Sequence, residues 1–170
     1  MKKIFLMWML LTAVLTSAAD RFVTFKSSSD ASFAVAKSGQ VLNIVFDAND
    51  DEGVRMAINS LQADFKAVTG VEPQAGQTVS DQCIIIGTLQ SQCIQPLLKA
   101  GKIQKKDIQG KTEKYLLQIV DKPMAGVSRA LVIAGSDKRG AIYGIYELSR
   151  QMGVSPWYWF ADVPVVHQDN

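Results

Sequence analysis

An uninterrupted apolar run, Cys83–Ile86, constrains the fold of this chain more than any other segment. A strand with one face in water alternates apolar and polar residues, whereas a strand covered on both faces has consecutive apolar residues. Gly87-Thr88 follows the run and turns the chain towards a short helical segment. The pattern predicts a strand–turn–helix unit in a layered domain that contains both helices and strands.

Two longer segments have the periodicity of amphipathic helices. Asp51–Thr69 carries its apolar residues on one stripe, and Gly70 is the predicted end of this helix. Lys138–Met152 has a similar stripe, with Asp137 as the predicted N-cap and Gly153 as the stop.

Five further segments have the composition of strands: Arg21–Lys26, Phe33–Lys37, Val41–Phe46, Glu113–Val120 and Arg129–Ala134. A segment with Pro123 and Gly126 joins the last two strands, which indicates an antiparallel hairpin. Strands and helices alternate, but one pair of strands is this hairpin. We therefore expect an α+β fold, α/β-like in its alternation, with a mixed β-sheet and two long helices packed on one face.

The first 19 residues have the three parts of a secretory signal peptide. Lys2-Lys3 gives a positive start, Ile4–Leu15 is apolar except for Thr12, and Thr16–Ala19 offers small residues for cleavage. These twelve residues would rise about 18 Å as a helix, short of the ~30 Å hydrocarbon core, which disfavours a permanent anchor. We expect a secreted or periplasmic protein that begins at Asp20 and has no membrane partner after cleavage.

Charge and cysteine content narrow the classes of partner. The net charge of +2 includes Lys2 and Lys3, so the rest of the chain is near neutral, which argues against nucleic acid. Cys83 and Cys93 could form a disulfide in an oxidising compartment, and two unpaired, buried thiols are the alternative. The one histidine, His167, lies far along the chain from both, which disfavours a zinc site.

Two turns have features of ligand-binding motifs. Asp47–Gly53 is rich in oxygen ligands like a calcium loop, but its glycine comes seventh rather than sixth, and Ile58 takes the place of the glutamate at position twelve. An acidic turn that caps the following helix is the stronger interpretation.

Gly135–Gly140 could bind a phosphate at a helix N-terminus, but it matches neither nucleotide motif, and Asp137 would repel an anion. Close approach of the helix to the sheet explains Gly140 and Gly144, so we predict no cofactor.

Four successive aromatic residues, Trp157–Phe160, follow the last helix. No single amphipathic element can bury four consecutive aromatic side chains on one side, so some of them must meet another surface. Packing within this domain's own core is the alternative for these residues.

The segment Gly135–Val165 resembles the end of the N-terminal domain of glycoside hydrolase family 115. The upstream order also fits, because an acidic turn leads into a helix that ends at Val68-Thr69-Gly70, followed by the strand and turn Ile84–Thr88. The sequence departs from the family at Phe160, where members usually have a second tryptophan, and at Val166–Asn170, which is unlike the usual basic continuation.

The resemblance implies an accessory domain similar to those that precede the barrel in several glycoside hydrolase families. It places the accessory domain at residues 20–165, after the predicted signal peptide of residues 1–19, and leaves residues 166–170 as a tail. Complete members are inverting α-glucuronidases that remove glucuronic acid or its 4-O-methyl ether from glucuronoxylan side chains. A (β/α)₈ barrel needs on the order of 250 residues, so we expect a fragment without the barrel and without catalytic residues of its own.

The partners implied are an intramolecular catalytic domain and, through it, glucuronoxylan. The residues expected to contact the barrel or the substrate are Trp157, Tyr158, Trp159 and Asp162. A stand-alone carbohydrate-binding module is the alternative function, with the aromatic residues as a sugar-stacking platform. A purely structural interaction domain is a third option, distinguished by having no glycan affinity.

Overall fold

The computed structural model describes residues 22–25, 32–158 and 163–168. The predicted signal peptide and the candidates Trp159 and Asp162 lie outside these ranges. In chain order the elements are β1 (Ala36–Lys37), β2 (Gln40–Val41), β3 (Asn43–Phe46), α1 (Glu52–Thr69), β4 (Ala75–Gly76), β5 (Gln82–Thr88), α2 (Gln95–Lys99), a 3-10 turn (Lys105–Asp107), β6 (Tyr115–Asp121), β7 (Arg129–Gly135) and α3 (Lys138–Gln151).

The main sheet has five strands in the order β4-β3-β5-β7-β6, and β1 and β2 form a separate two-stranded ribbon. β3 pairs in parallel with both β4 and β5, and β5 pairs in parallel with β7. β6 and β7 form the antiparallel hairpin that the sequence predicts, with Tyr115 opposite Gly135 and Asp121 opposite Arg129. The α+β fold with a mixed sheet is therefore confirmed.

Both long helices pack on one face of this sheet, as the sequence predicts. Asp51 caps α1 by accepting a hydrogen bond from the Gly53 amide at 2.9 Å, and Gly70 ends the helix in the left-handed conformation. The core under the helices includes Ile44, Ile58, Leu61, Phe65, Ile84, Ile86, Ile133, Ile145 and Leu148. The apolar stripes of α1 and α3 thus meet each other and the sheet.

Two glycines let α3 lie close to β6 and β7. A Cβ atom at Gly144 would lie 2.7 Å from Cγ2 of Ile133 and 3.2 Å from Cβ of Tyr115. At Gly140 a Cβ atom would collide with the backbone carbonyl oxygen of Lys114. The close approach expected from the spacing of these glycines is present.

A second core covers the opposite face of the sheet, beneath α2 and the chain that follows it. It includes Val45, Cys83, Ile85, Ile94, Leu97, Ile103, Ile108, Val120, Val127 and Val132. Residues 83–88 of β5 are all buried, so this central strand is covered on both faces as its apolar run predicts.

The N-terminal strand predictions were only partly right. Residues 22–25 form no strand, because the Phe22 amide donates to the side chain of Gln151 while Val23 and Phe25 pack against the first core. Strand structure in the next predicted segment is confined to Ala36–Lys37. In the described part of the chain, no helix combines the length and apolarity that crossing a membrane requires.

Candidate functional site

The carboxyl ends of β3 and β5 meet where an α/β sheet usually binds a ligand. Ligands of open α/β sheets bind where neighbouring strands send their connections to opposite faces. β3 leads to α1 above the first core, whereas β5 leads to α2 above the second. The crevice between these two strand ends is therefore where a ligand of this fold is expected.

Two aspartates of this chain fill that crevice. The carboxylate of Asp50 accepts hydrogen bonds from the backbone nitrogen and the hydroxyl of Thr88, at 2.9 and 3.1 Å. Asp47 accepts from the amides of Gln92 at 2.8 Å and Asn49 at 2.9 Å. The side chains thus join the loop after β3 to the loop after β5, across the place where a ligand would enter.

The carboxylates of Asp47 and Asp51 are held in their charged form. The amides of Gln92 and Asn49 lower the pKa of Asp47, which is only 6% exposed. The Gly53 amide and the Lys138 ammonium group, 3.3 Å away, lower the pKa of Asp51. Among the described residues, no group of three His, Cys, Asp or Glu side chains could hold a metal ion. The acidic turn acts as a helix cap and a cross-link between loops.

The polar groups of the Gly135–Gly140 turn are likewise bonded to other groups of the chain. Asp137 accepts from the Glu113 and Gly140 amides, each at 2.8 Å, and these bonds lower its pKa. The two basic residues of the turn are also paired, Lys138 with Asp51 and Arg139 with Glu113. The amides and charges that would bind a phosphate here thus already have partners within the chain.

The candidate residues Trp157 and Tyr158 lie in a turn that follows α3. The Tyr158 amide donates to the Ser155 carbonyl at 3.0 Å, and the Trp157 amide lies 3.2 Å from the Ser155 hydroxyl oxygen. Trp157 is 65% exposed and Tyr158 is 38% exposed. Both side chains thus present aromatic surface outside the two cores, and their role in contacting a barrel or substrate stays a prediction.

The segment 163–168 returns to the end of α1. The Gln168 amide donates to the Val68 carbonyl at 2.7 Å, and Val165 packs against the first core. The first residues of the predicted tail are therefore attached to the domain.

Cys83 and Cys93 are both free thiols in the structure. Cys83 lies near the start of β5, whereas the Cys93 sulfur lies 3.4 Å from the carbonyl oxygen of Ile86. Three residues of strand span about 10 Å, which is beyond disulfide reach. Of the two alternatives left open by the sequence, the structure has the unpaired thiols, and burial raises the pKa of each to about 11.

A groove of about 580 Å³ lies at the opposite, amino-terminal end of β3, β4 and β5. Its lining comes from three segments, residues 39–43, 71–74 and 80–82, and includes Gln40, Asn43, Gln74, Asp81 and Gln82. Sequence reasoning missed this groove because the polar residues are scattered among turns, where amides and carboxylates are common. Only the alignment of three strand ends brings them together.

The mixed sheet with two long helices on one face, together with a family match, assigns the chain to the N-terminal domains of glycoside hydrolases. Residues 24–148 match the family model described as glycosyl hydrolase family 67 N-terminus. This chain belongs to that family.

A solved structure similar to this chain is that of a family GH115 4-O-methyl-α-glucuronidase with specificity for decorated arabinogalactans. The two share 30% sequence identity with a TM-score of 0.65, over 79% of this chain and 16% of that enzyme. No curated protein matches the sequence significantly. The resemblance to the N-terminal domain of family 115 is confirmed, and the chain spans less than one fifth of the similar enzyme's length.

Proposed function

We propose that this chain is an exported, non-catalytic accessory domain of a glycoside hydrolase that removes glucuronic acid, or its 4-O-methyl ether, from a plant polysaccharide. The family match and the likeness to a 4-O-methyl-α-glucuronidase support the class of enzyme. The signal-peptide pattern of residues 1–19 supports export.

The main support for a non-catalytic role is that carboxylates at the carboxyl end of the sheet accept hydrogen bonds from backbone amides. An inverting glycosidase needs a protonated carboxylic acid, usually of raised pKa, and a carboxylate base about 6.5–9.5 Å away with room for water between them. The pKa values of Asp47, Asp51 and Asp137 are instead lowered, and their oxygens accept hydrogen bonds from backbone amides. Asp64 has a raised pKa, but it faces Ser149 between α1 and α3, away from this edge.

The exposed aromatic side chains support docking against a catalytic region. Trp157 and Tyr158 lie beyond the last helix, and tryptophan and tyrosine are enriched at protein interfaces. In this proposal they pack on the catalytic barrel rather than bind sugar on their own.

The proposed substrate is specified by its acidic side group and not by its polysaccharide backbone. The resemblance noted in the sequence favours glucuronoxylan, whereas the similar solved structure is that of an enzyme specific for decorated arabinogalactans. Both carry glucuronic acid as a side group, so we propose a glucuronic-acid-decorated polysaccharide as the substrate of the associated enzyme.

Uronic acid release tests the non-catalytic role. The purified chain, incubated with glucuronoxylan and with glucuronic-acid-decorated arabinogalactan, should release neither glucuronic acid nor its 4-O-methyl ether above the level of a protein-free control. Release from either polysaccharide would overturn the proposed role and would identify the preferred backbone.

Binding to a catalytic region tests the docking step. The probe is the catalytic region of a GH115 4-O-methyl-α-glucuronidase expressed without the segment that matches this chain. Trp157→Ala should weaken its association with the chain at least tenfold, while Tyr146→Ala, at a comparably exposed aromatic residue of α3, should not. Equal effects of the two variants, or no association at all, would contradict docking through Trp157.

N-terminal sequencing tests export. A chain expressed from Met1 in a Gram-negative host should be recovered outside the cytoplasm with Asp20 as its first residue. Recovery of the uncleaved chain in the cytoplasm would refute this part of the proposal.

A further inference from the structure

The groove at the amino-terminal end of the sheet crosses three adjacent parallel strands. The register places Ile44 beside Ala75, so Gln74 lies beside Asn43, and the Ile44 amide bonds to the Gln74 carbonyl at 2.8 Å. Asn43 lies beside Cys83, so Gln82 lies beside Leu42. Because successive residues of a strand point to opposite faces, Asn43 and Gln74 lie on one face of the sheet and Gln82 lies on the other. Neighbouring strands are about 4.8 Å apart, so the polar groups from Gln74 to Gln82 surround the strand ends over about 10 Å.

Several polar side chains of this groove are free to bind a ligand. Within the described ranges, no hydrogen bond engages the side chains of Gln40, Asn43, Gln74, Asp81 and Gln82. A second carboxylate, Glu72, is paired with Lys66 at 3.0 Å. Each amide offers a donor and an acceptor side by side, which matches adjacent sugar hydroxyls that both donate and accept.

The rest of the lining fits a sugar ring better than an ion. Val41, Leu42, Val71 and Pro73 contribute apolar surface beside the amides. The volume of about 580 Å³ lies within the range of small-molecule sites, which combine apolar walls with a few polar groups. The lining contains no lysine or arginine, Glu72 is already paired with Lys66, and the remaining carboxylate, Asp81, would repel a uronic acid.

We infer that this groove is a glycan-binding site for neutral sugar units, those of the polysaccharide backbone or its neutral branches, and that it excludes the glucuronic acid side group. The choice of ligand rests on the proposed function, whereas the site itself is assigned from the groove. The accessory domain would thus hold the neutral part of the same polysaccharide whose acidic group the associated enzyme removes.

Side-chain amide resonances provide a local test. The purified chain, labelled with ¹⁵N, is titrated separately with neutral galacto-, arabino- and xylo-oligosaccharides and with glucuronic acid. The side-chain amide signals of Gln40, Asn43, Gln74 and Gln82 should shift saturably with at least one neutral oligosaccharide. They should not shift saturably with glucuronic acid at the same concentrations.

Matched glutamine variants distinguish the groove from other surfaces. Gln74→Ala/Gln82→Ala should weaken binding about tenfold, equivalent to the loss of one or two hydrogen bonds. Gln104→Ala/Gln109→Ala removes two exposed glutamines remote from the groove and should leave binding unchanged. Saturable shifts centred on Trp157, equal effects of the two double variants, or no shift with any neutral oligosaccharide would overturn the inference.

The two proposals fail in different ways. Uronic acid release by the chain would contradict the non-catalytic role without moving the groove signals. If the groove amide signals did not respond to any neutral oligosaccharide, the glycan site would be refuted. The proposed accessory role would be unaffected.

Discussion

The carboxylate of Asp50 accepts two hydrogen bonds from Thr88, one from its backbone nitrogen at 2.9 Å and one from its hydroxyl at 3.1 Å. The two residues are 38 positions apart in sequence. Asp50 precedes α1, and Thr88 ends β5, so a single side chain joins loops that leave the sheet on opposite faces. The position that binds ligands in other α/β sheets is bridged here by a hydrogen-bonded side chain of the domain itself.

Asp50→Ala should lower the free energy of unfolding by about 1–3 kcal/mol, because the Thr88 amide and hydroxyl lose their shared acceptor. Chemical denaturation followed by circular dichroism measures the loss. Asp107→Ala, at an exposed carboxylate in the 3-10 turn, should change stability by less than about 0.5 kcal/mol. Similar losses in the two variants would mean that the Asp50 bonds add no net stability.

Gly140→Ala should destabilise the domain even though alanine is the better helix former. Intrinsic propensity alone favours alanine by about 1 kcal/mol in a helix interior. The added Cβ would collide with the Lys114 carbonyl oxygen, and backbone cannot move aside as a flexible side chain can. We expect a net loss of about 1–3 kcal/mol, measured by thermal unfolding.

Gly76→Ala is the control for this effect, because no atom lies within 4 Å of a Cβ built there and its φ is not positive. It should have little effect on the melting temperature. An increase in stability with Gly140→Ala would show that α3 can move away from Lys114 at little cost.

The lowered pKa values of Asp47 and Asp137 predict loss of stability in acid. A group whose pKa is lower in the folded state stabilises the fold above its unfolded pKa, near 3.8, and this contribution is lost as the pH falls through the folded value. The melting temperature should therefore drop steeply below about pH 4.

Asp47→Asn/Asp137→Asn should flatten this dependence, since the asparagine amides keep an acceptor oxygen but do not titrate. The double variant should be less stable than the parent at pH 7 and approach it at pH 2.5. An exposed-site control, Asp107→Asn, should keep the parent's steep acid dependence. A parallel decline in all three proteins would assign acid unfolding to other groups.

The helices and the hairpin were predictable because their determinants are local. The periodicity of α1, the acidic turn that caps it and its Gly70 end all lie within one stretch of sequence, and the structure has each of them, with Asp51 as the capping residue. The roles of Asp137, Gly140 and Gly144 followed from spacing for the same reason.

What the sequence did not predict depends on distant contacts. Residues 22–25 have a strand-like pattern, but they form no strand, and Val23 and Phe25 instead pack against the first core. The Asp47–Gln92 bond and the groove across Asn43, Gln74 and Gln82 require the strand order β4-β3-β5, which no local pattern encodes.

The two thiols should react slowly in the native protein. Burial raises the pKa of Cys83 and Cys93 to about 11, so the reactive thiolate is scarce at neutral pH. Labelling with iodoacetamide at pH 7.5 should be slow in buffer and fast in denaturant, with two thiols modified per chain. Fewer than two reactive thiols in denaturant without reductant would indicate that the cysteines had been oxidised.

Asp64 should make the opposite contribution to stability from Asp47. It lies between α1 and α3, and burial there raises its pKa more than the Ser149 hydroxyl lowers it. A group with a raised folded pKa gives its full stability below the unfolded value, near 3.8, and loses it as the pH rises through the folded value. The ionised carboxylate therefore costs stability at neutral pH, and Asp64→Asn should be more stable than the parent at pH 7. The difference should shrink to zero below about pH 4, because the parent is then also uncharged at this position.

Thermal unfolding from pH 3 to 8 measures the stability of the parent and of Asp64→Asn, with Asp107→Asn as the exposed control. A gain that is the same at every pH would show that asparagine improves packing between the helices rather than removing a buried charge.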